Sequence, residues 1–102
     1  MKKLVELASI LRSKNAGPLH VTFDVMFDSA QKYERVKKSN VLTGKAISDL
    51  YNVPEDEVDI VLYDIVNSLK ITIPRRVISG SIGDDDVYGC QQQYRLSSML
   101  IP

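Results

Sequence analysis

Residues 19–27 read Leu19-His20-Val21-Thr22-Phe23-Asp24-Val25-Met26-Phe27 and alternate without a break. The odd positions Leu19, Val21, Phe23, Val25 and Phe27 are all large and apolar, and the even ones are His20, Thr22, Asp24 and Met26. Successive side chains of a strand point to opposite faces. A period of two over this stretch therefore predicts a β-strand with one face buried on helices and one face more polar. On the polar face His20, Thr22 and Asp24 stand roughly 6.6 Å apart from one to the next.

Before this strand, Leu4, Leu7, Ala8 and Leu11 recur at helical spacing, with Val5 and Ile10 widening the apolar face. That pattern predicts a helix from about Lys3 to Lys14. Lys14, Asn15, Gly17 and Pro18 then read as its stop, a basic residue followed by residues that tolerate or force a break. After the strand, Asp28 is placed to cap a second helix running to about Lys38, with Gln31 as its capping-box partner. Ala30, Tyr33 and Val36 form the thin apolar edge of that helix, and Ser39 and Asn40 break it. Thr43 is placed to cap a third helix, Gly44 to Tyr51, buried through Ala46, Ile47 and Leu50 and closed by Asn52 and Pro54.

An acidic turn, Glu55-Asp56-Glu57, precedes Val58 to Asp64, a strand apolar on both faces. Two apolar faces predict a central or doubly covered strand. Leu69, Ile71 and Ile73 alternate with Lys70 and Thr72, so Leu69–Ile73 pairs with it as an antiparallel hairpin over a loop holding Asn67 and Ser68. Pro74 ends the ladder because it has no N–H to donate. Residues 1–76 thus form an α+β core. Residues 77–102 read as an irregular C-terminal arm of the same domain, whose Leu96, Met99, Leu100 and Ile101 are apolar enough to dock. A strand, a helical connection and a second strand make a βαβ crossover, either adjacent or with a gap for another strand. With the hairpin added, the fold class expected is α+β, a ferredoxin-like (split βαβ, permuted) layout. It has a three- to four-stranded mixed sheet with helices on one face and a long irregular C-terminal segment.

Composition excludes several functions. The 102 residues carry 13 Lys+Arg and 13 Asp+Glu, a net charge of zero. A general nucleic-acid binder needs an excess of cations to displace phosphate counterions, so no nucleic-acid partner is expected. No apolar run approaches membrane-spanning length, so no membrane partner is expected. One cysteine and one histidine exclude an internal disulfide and argue against a zinc site; no metal and no cofactor are expected. Glu6 and Arg12 interrupt the N-terminal apolar stretch and no cleavage site follows, so a cytoplasmic location is expected. The zero is uneven along the chain: residues 1–50 sum to +4 and residues 51–102 to −4.

Six features bear on chemistry, each with a plain structural reading beside the functional one. Ser79-Gly80-Ser81-Ile82-Gly83 is a phosphate-friendly loop, but it lacks the Lys-Ser/Thr ending of a P-loop and three acids follow it. Asp84-Asp85-Asp86 is able to hold a hard cation, yet the spacing matches no calcium loop and reads as a surface turn. His20, Thr22 and Asp24 share a strand face, where a histidine serves acid–base chemistry or merely ends the strand half-exposed. Cys90 needs a nearby cation or helix N-terminus to be reactive, and nothing in the sequence supplies one. Lys14 to Pro18 offers a lysine, the Asn15 amide and turn N–H groups to a carboxylate, but is fully explained as a helix stop, the favoured reading. Arg75-Arg76 suits bidentate recognition of a carboxylate or phosphate, or a solvated strand end.

In this order the segments KLVELASILRSKNAGP, VTFDVMFDS, YERVKKSNVLT, LYNVPEDEV and ITIPRRVISGSIGDDDVYGCQQ resemble a small bacterial family of unknown function. Its domain is similar to the ferredoxin-fold domain found with AtuA-like proteins, named for acyclic terpene utilisation. The resemblance runs from about Lys3 to Gln92; Ile82 departs from it, where a proline is common, as does the ending from Gln93 to Pro102. It implies a ferredoxin-like α+β fold and association with a larger AtuA-like protein, in bacterial catabolism of organic acids or acyl compounds. It implies no established reaction, and no coherent catalytic set is legible, so the chain is not read as an enzyme on its own. Two functional expectations follow. One is an accessory or assembly domain that binds an AtuA-like partner or a second copy of itself, as a homo-oligomer. The other is a carboxylate or acyl-thioester site, complete or finished by a partner. Asn15, His20, Asp24, Ser79, Asp86, Tyr88 and Gln91 are the candidate ligand- or partner-binding residues.

Overall fold

The alternating stretch forms strand β3, His20–Met26, in a computed structural model that describes residues 1–17, 19–74 and 94–102. Its partners are antiparallel strands on both sides. β2 (Ile10–Asn15) pairs with Arg12 opposite Asp24, and β5 (Ser68–Pro74) pairs with Lys70 opposite Asp24. Among the described residues strand β4, Asp59–Tyr63, pairs only with β5, giving the order β2-β3-β5-β4. Val21, Phe23 and Val25 face Ile73, Ile71 and Leu69 across the ladder, and all six are buried.

Helices α2 (Ala30–Ser39) and α3 (Gly44–Tyr51) cover that apolar face. The Phe27 ring meets Tyr33 of α2 at 6.0 Å between centroids, and the Phe23 ring meets Tyr51 of α3 at 5.1 Å. These rings fix which side of the sheet is the interior, because edge-to-face and tilted pairs of this kind need burial to count. Asn40, Asn52 and Asn67 adopt left-handed φ values of 56°, 55° and 51° and stop α2, α3 and the 3-10 turn Asp64–Val66. Asparagine tolerates that conformation better than other residues with a Cβ.

The two ends of the chain close together. β1 (Lys2–Lys3) pairs antiparallel with β6 (Leu100–Ile101), and the Leu4 N–H donates to the Met99 carbonyl at 2.8 Å. The short helices α1 (Leu4–Leu7) and α4 (Tyr94–Ser97) bring Leu4, Leu7 and Leu96 into the core, with Ile101 beside them. The Leu96 N–H donates to the Tyr51 hydroxyl at 3.1 Å, which ties this end to α3.

Several expectations are corrected. The helix expected over Lys3–Lys14 is one turn long, and residues from Ile10 onward form β2. Leu11 and Ser13 lie opposite Val25 and Phe23, while Ile10, Arg12 and Lys14 lie on the other face. Pairing with β3 along its whole length outweighs a helical apolar pattern that is only marginally stable by itself. Gly17, at φ +82°, and the bond from the Ala16 N–H to the His20 carbonyl at 2.9 Å serve a β-hairpin turn, not a helix stop. The α2 cap is Ser29, whose hydroxyl accepts from the Lys32 N–H; Asp28 instead pairs with the Lys32 ammonium at 3.1 Å, and Gln31 has no capping-box role. The sheet is antiparallel throughout, not mixed. β3 and β4 run parallel to each other with β5 between them, the gap that the crossover left open. The described elements hold one such split unit, not the two helical crossovers of a full ferredoxin-like layout. Finally, among the described residues β4 is an edge strand rather than a central one, and Val61, Leu62 and Tyr63 are exposed.

Candidate functional site

The face of the sheet opposite α2 and α3 is built by register. Its rows run Ile10–Met26–Ser68–Tyr63, Arg12–Asp24–Lys70–Val61 and Lys14–Thr22–Thr72–Asp59 across β2, β3, β5 and β4. Thr22, Asp24 and Ser68 are buried beneath their neighbours on this face. A shallow depression of about 300 Å³ lies here, walled by Met26, Tyr63 and Val66 and by the cations Arg12, Lys14 and Lys70 around Asp24.

Asp24 accepts from the Arg12 Nε at 3.2 Å. Among the described residues Lys14 and Lys70 have no ion-pair partner, so the depression carries three cations against one acid. The hydroxyls of Thr22 and Thr72 meet at 3.5 Å in the next row. An apolar wall beside an excess of fixed cations suits the carboxylate end of an amphipathic molecule, or an acidic surface of another protein.

The candidate residues are not gathered into one site. Asp24 lies in the depression. His20 is on the same face but four residues along the strand, roughly 13 Å away, exposed and beyond Thr22. Asn15 pairs with Val21 and so belongs to the opposite face. The His20–Thr22–Asp24 set therefore makes no relay: Thr22 bonds Thr72 and Asp24 bonds Arg12. Ser79, Asp86, Tyr88 and Gln91 lie outside the described residues, as do the Ser79–Gly83 loop, Asp84–Asp86, Arg75-Arg76 and Cys90. The helical pattern of their segment hides Arg12 and puts Lys14 at a helix stop instead of on this face. The signal that finds them is the alternation of Ile10, Arg12 and Lys14 with Leu11, Ser13 and Asn15.

A second polar cluster lies where α2 meets the β4–β5 turn. The Tyr33 hydroxyl donates to the Asp64 carboxylate, which also accepts from the Lys37 ammonium at 3.1 Å. Burial, with the Asp64 bond adding to it, pushes the Tyr33 phenol up to about 12. The Tyr33 bond and then Lys37 hold the Asp64 carboxyl below its usual range. This cluster ties two elements together. Among the described residues no group of three or more His, Cys, Asp or Glu side chains is placed to hold a metal ion, and no helix is long and apolar enough to cross a membrane.

Fold and site together define a small α+β domain: a four-stranded antiparallel sheet with helices on one face and, on the other, Arg12, Lys14 and Lys70 around Asp24. A family model described as "Domain of unknown function (DUF4387)" matches residues 4–100, and the chain belongs to that family. No curated protein and no solved structure matches it.

Proposed function

We propose that this chain is an accessory domain that works by association, with an AtuA-like protein or with itself, in the handling of organic acids or acyl compounds. The observation that carries this reading is the edge of the sheet at β4. Val61, Leu62 and Tyr63 are 36%, 45% and 44% exposed, and Ile65 and Val66 in the turn that follows are more exposed still. Exposed apolar side chains on a strand that has a neighbour on one side only among the described residues make a surface that other proteins cover. The resemblance to the ferredoxin-fold domain of AtuA-like proteins supports the choice of partner. Light scattering on the chain alone and on the chain co-expressed with an AtuA-like protein tests the reading: a complex is expected in at least one, and a strict monomer in both refutes it.

The excess of cations around Asp24 favours a second reading, a carboxylate or acyl-thioester site on the open sheet face. Octanoate is then expected to raise the melting temperature of the chain, and Lys70→Met to abolish that rise while leaving the ligand-free melting temperature unchanged. An equal rise in the variant removes this reading.

A further inference from the structure

The two edges of the sheet are protected differently. β2 carries Arg12 and Lys14, both exposed, and charged side chains of this kind are how edge strands avoid pairing with other chains. β4 is Asp59-Ile60-Val61-Leu62-Tyr63: no lysine, arginine or proline, and a regular strand along its whole length. Among the described residues it has a neighbour on one side only.

We infer that β4 pairs antiparallel with β4 of a second copy across a two-fold axis centred on Val61, joining two sheets into one of eight strands. The inference rests on the association reading above and narrows it to one occupant and one register.

The register follows from side-chain chemistry. Residues directly opposite each other in an antiparallel pair share a face, so a dimer with both sets of helices on one side needs its axis on a residue, not between two. Centring on Val61 is the choice that pairs all of Asp59–Tyr63. It sets Val61 against Val61, Ile60 against Leu62 and Asp59 against Tyr63. Ile60 and Leu62 are on the helix side, opposite Ile71 and Leu69 of β5, so their new contacts extend the existing core across the axis. On the open face the Tyr63 hydroxyl of each copy comes beside the Asp59 carboxylate of the other, a donor meeting an acceptor.

Like charges do not meet in this arrangement. A parallel, in-register pair would stack Asp59 on Asp59, whereas the antiparallel one separates the two. Asp64, just past the strand, already holds Tyr33 and Lys37 of its own chain. A net charge of zero removes the long-range repulsion between copies that opposes self-association in strongly charged domains. An isologous contact of this type closes at two copies, which also removes the unguarded edge.

The experiment uses the full chain. Light scattering over a hundredfold dilution is expected to give twice the 11.5 kDa of one chain at the concentrated end. Val61→Lys, at an exposed position, is expected to lose the dimer while keeping the circular dichroism and melting profile of the wild-type monomer. A second measurement reads the register directly. In a Cys90→Ser background, Val61→Cys is expected to form a disulfide with itself under mild oxidation, because opposed residues have Cα atoms about 4.5–5.5 Å apart. Ile60→Cys is expected to cross-link only when mixed with Leu62→Cys. A chain that is monomeric alone but complexed with an AtuA-like protein overturns this inference and leaves the association reading standing. A dimer that survives Val61→Lys, or that fails to cross-link through Val61→Cys, overturns the β4 contact.

Discussion

Strand order is the point on which the local sequence and the structure disagree most, and paired alanine substitutions measure it. Phe23 is fully buried on β3, with Ser13 and Ile71 on either side and the Tyr51 ring 5.1 Å away. A phenylalanine buries roughly 150–250 Å². At about 25 cal/mol per Å² that burial is worth about 4–6 kcal/mol. Alanine keeps a part of it and leaves a cavity, so Phe23→Ala is expected to cost about 3–5 kcal/mol. A domain of this size is stable by only roughly 5–15 kcal/mol, so the loss is a large share of the whole. Leu62 lies on β4, 45% exposed at the sheet edge. A fully buried leucine costs about 2–5 kcal/mol on truncation, and this one, half out of the core, is expected to cost about 1 kcal/mol. Urea unfolding followed by circular dichroism, at a dilution where the chain is monomeric, reads both. With a slope of about 1–3 kcal/mol per molar, Phe23→Ala is expected to move the midpoint down by roughly 2 M and Leu62→Ala by a fraction of that. Equal losses in the two variants would place β4 inside the sheet and refute the order β2-β3-β5-β4.

Three further outcomes are expected. The Tyr33 phenol is raised in the fold, so its stabilisation is complete below the unfolded value of about 10 and is lost as pH rises toward about 12. The Asp64 carboxyl is lowered, so its contribution is present above about 4 and disappears as pH falls through its folded value. The urea midpoint of wild type is therefore expected to fall relative to that of Tyr33→Phe as pH rises above about 10 and again as it falls below about 4; parallel curves would contradict the Tyr33–Asp64 bond. Thr43 caps α3 by accepting from the Ala46 N–H at 3.1 Å, and Thr43→Ala is expected to cost about 1 kcal/mol by the same unfolding assay. Arg12→Ala leaves the buried Asp24 carboxylate without its guanidinium and is expected to cost about 1–3 kcal/mol. Asp24→Asn in the same chain is expected to recover part of that loss, and strict additivity of the two would show that they do not interact.

Much of the fold is legible in short stretches. The alternation through Phe23 defines β3, Thr43 and Asn52 bracket α3, and Leu69 to Ile73 alternate as β5 does. These segments are ones where local pattern and final environment agree. The Ile10–Asn15 segment is different. Its two apolar residues, Ile10 and Leu11, extend the helical pattern that precedes them, and only the pairing with β3, more than four residues further along the chain, offers the hydrogen bonds that make it a strand. The basic face was illegible for the same reason. Arg12, Asp24 and Lys70 come from three strands and become neighbours only through register.

What the sequence determined by itself is the set of strongly periodic elements, the zero net charge and membership of a family, because each of these is carried by composition or by residues close together along the chain. What only the tertiary structure decided is which strand lies at the edge. Val58 to Asp64 has two apolar faces, and such a strand satisfies them either by lying between two others or by waiting for another chain. The β3–β5 pairing fills the central place, which leaves β4 at the edge among the described residues, with Val61, Leu62 and Tyr63 exposed. Apolar patterning states that a strand will be covered; the pairing of distant segments decides whether its own chain does the covering.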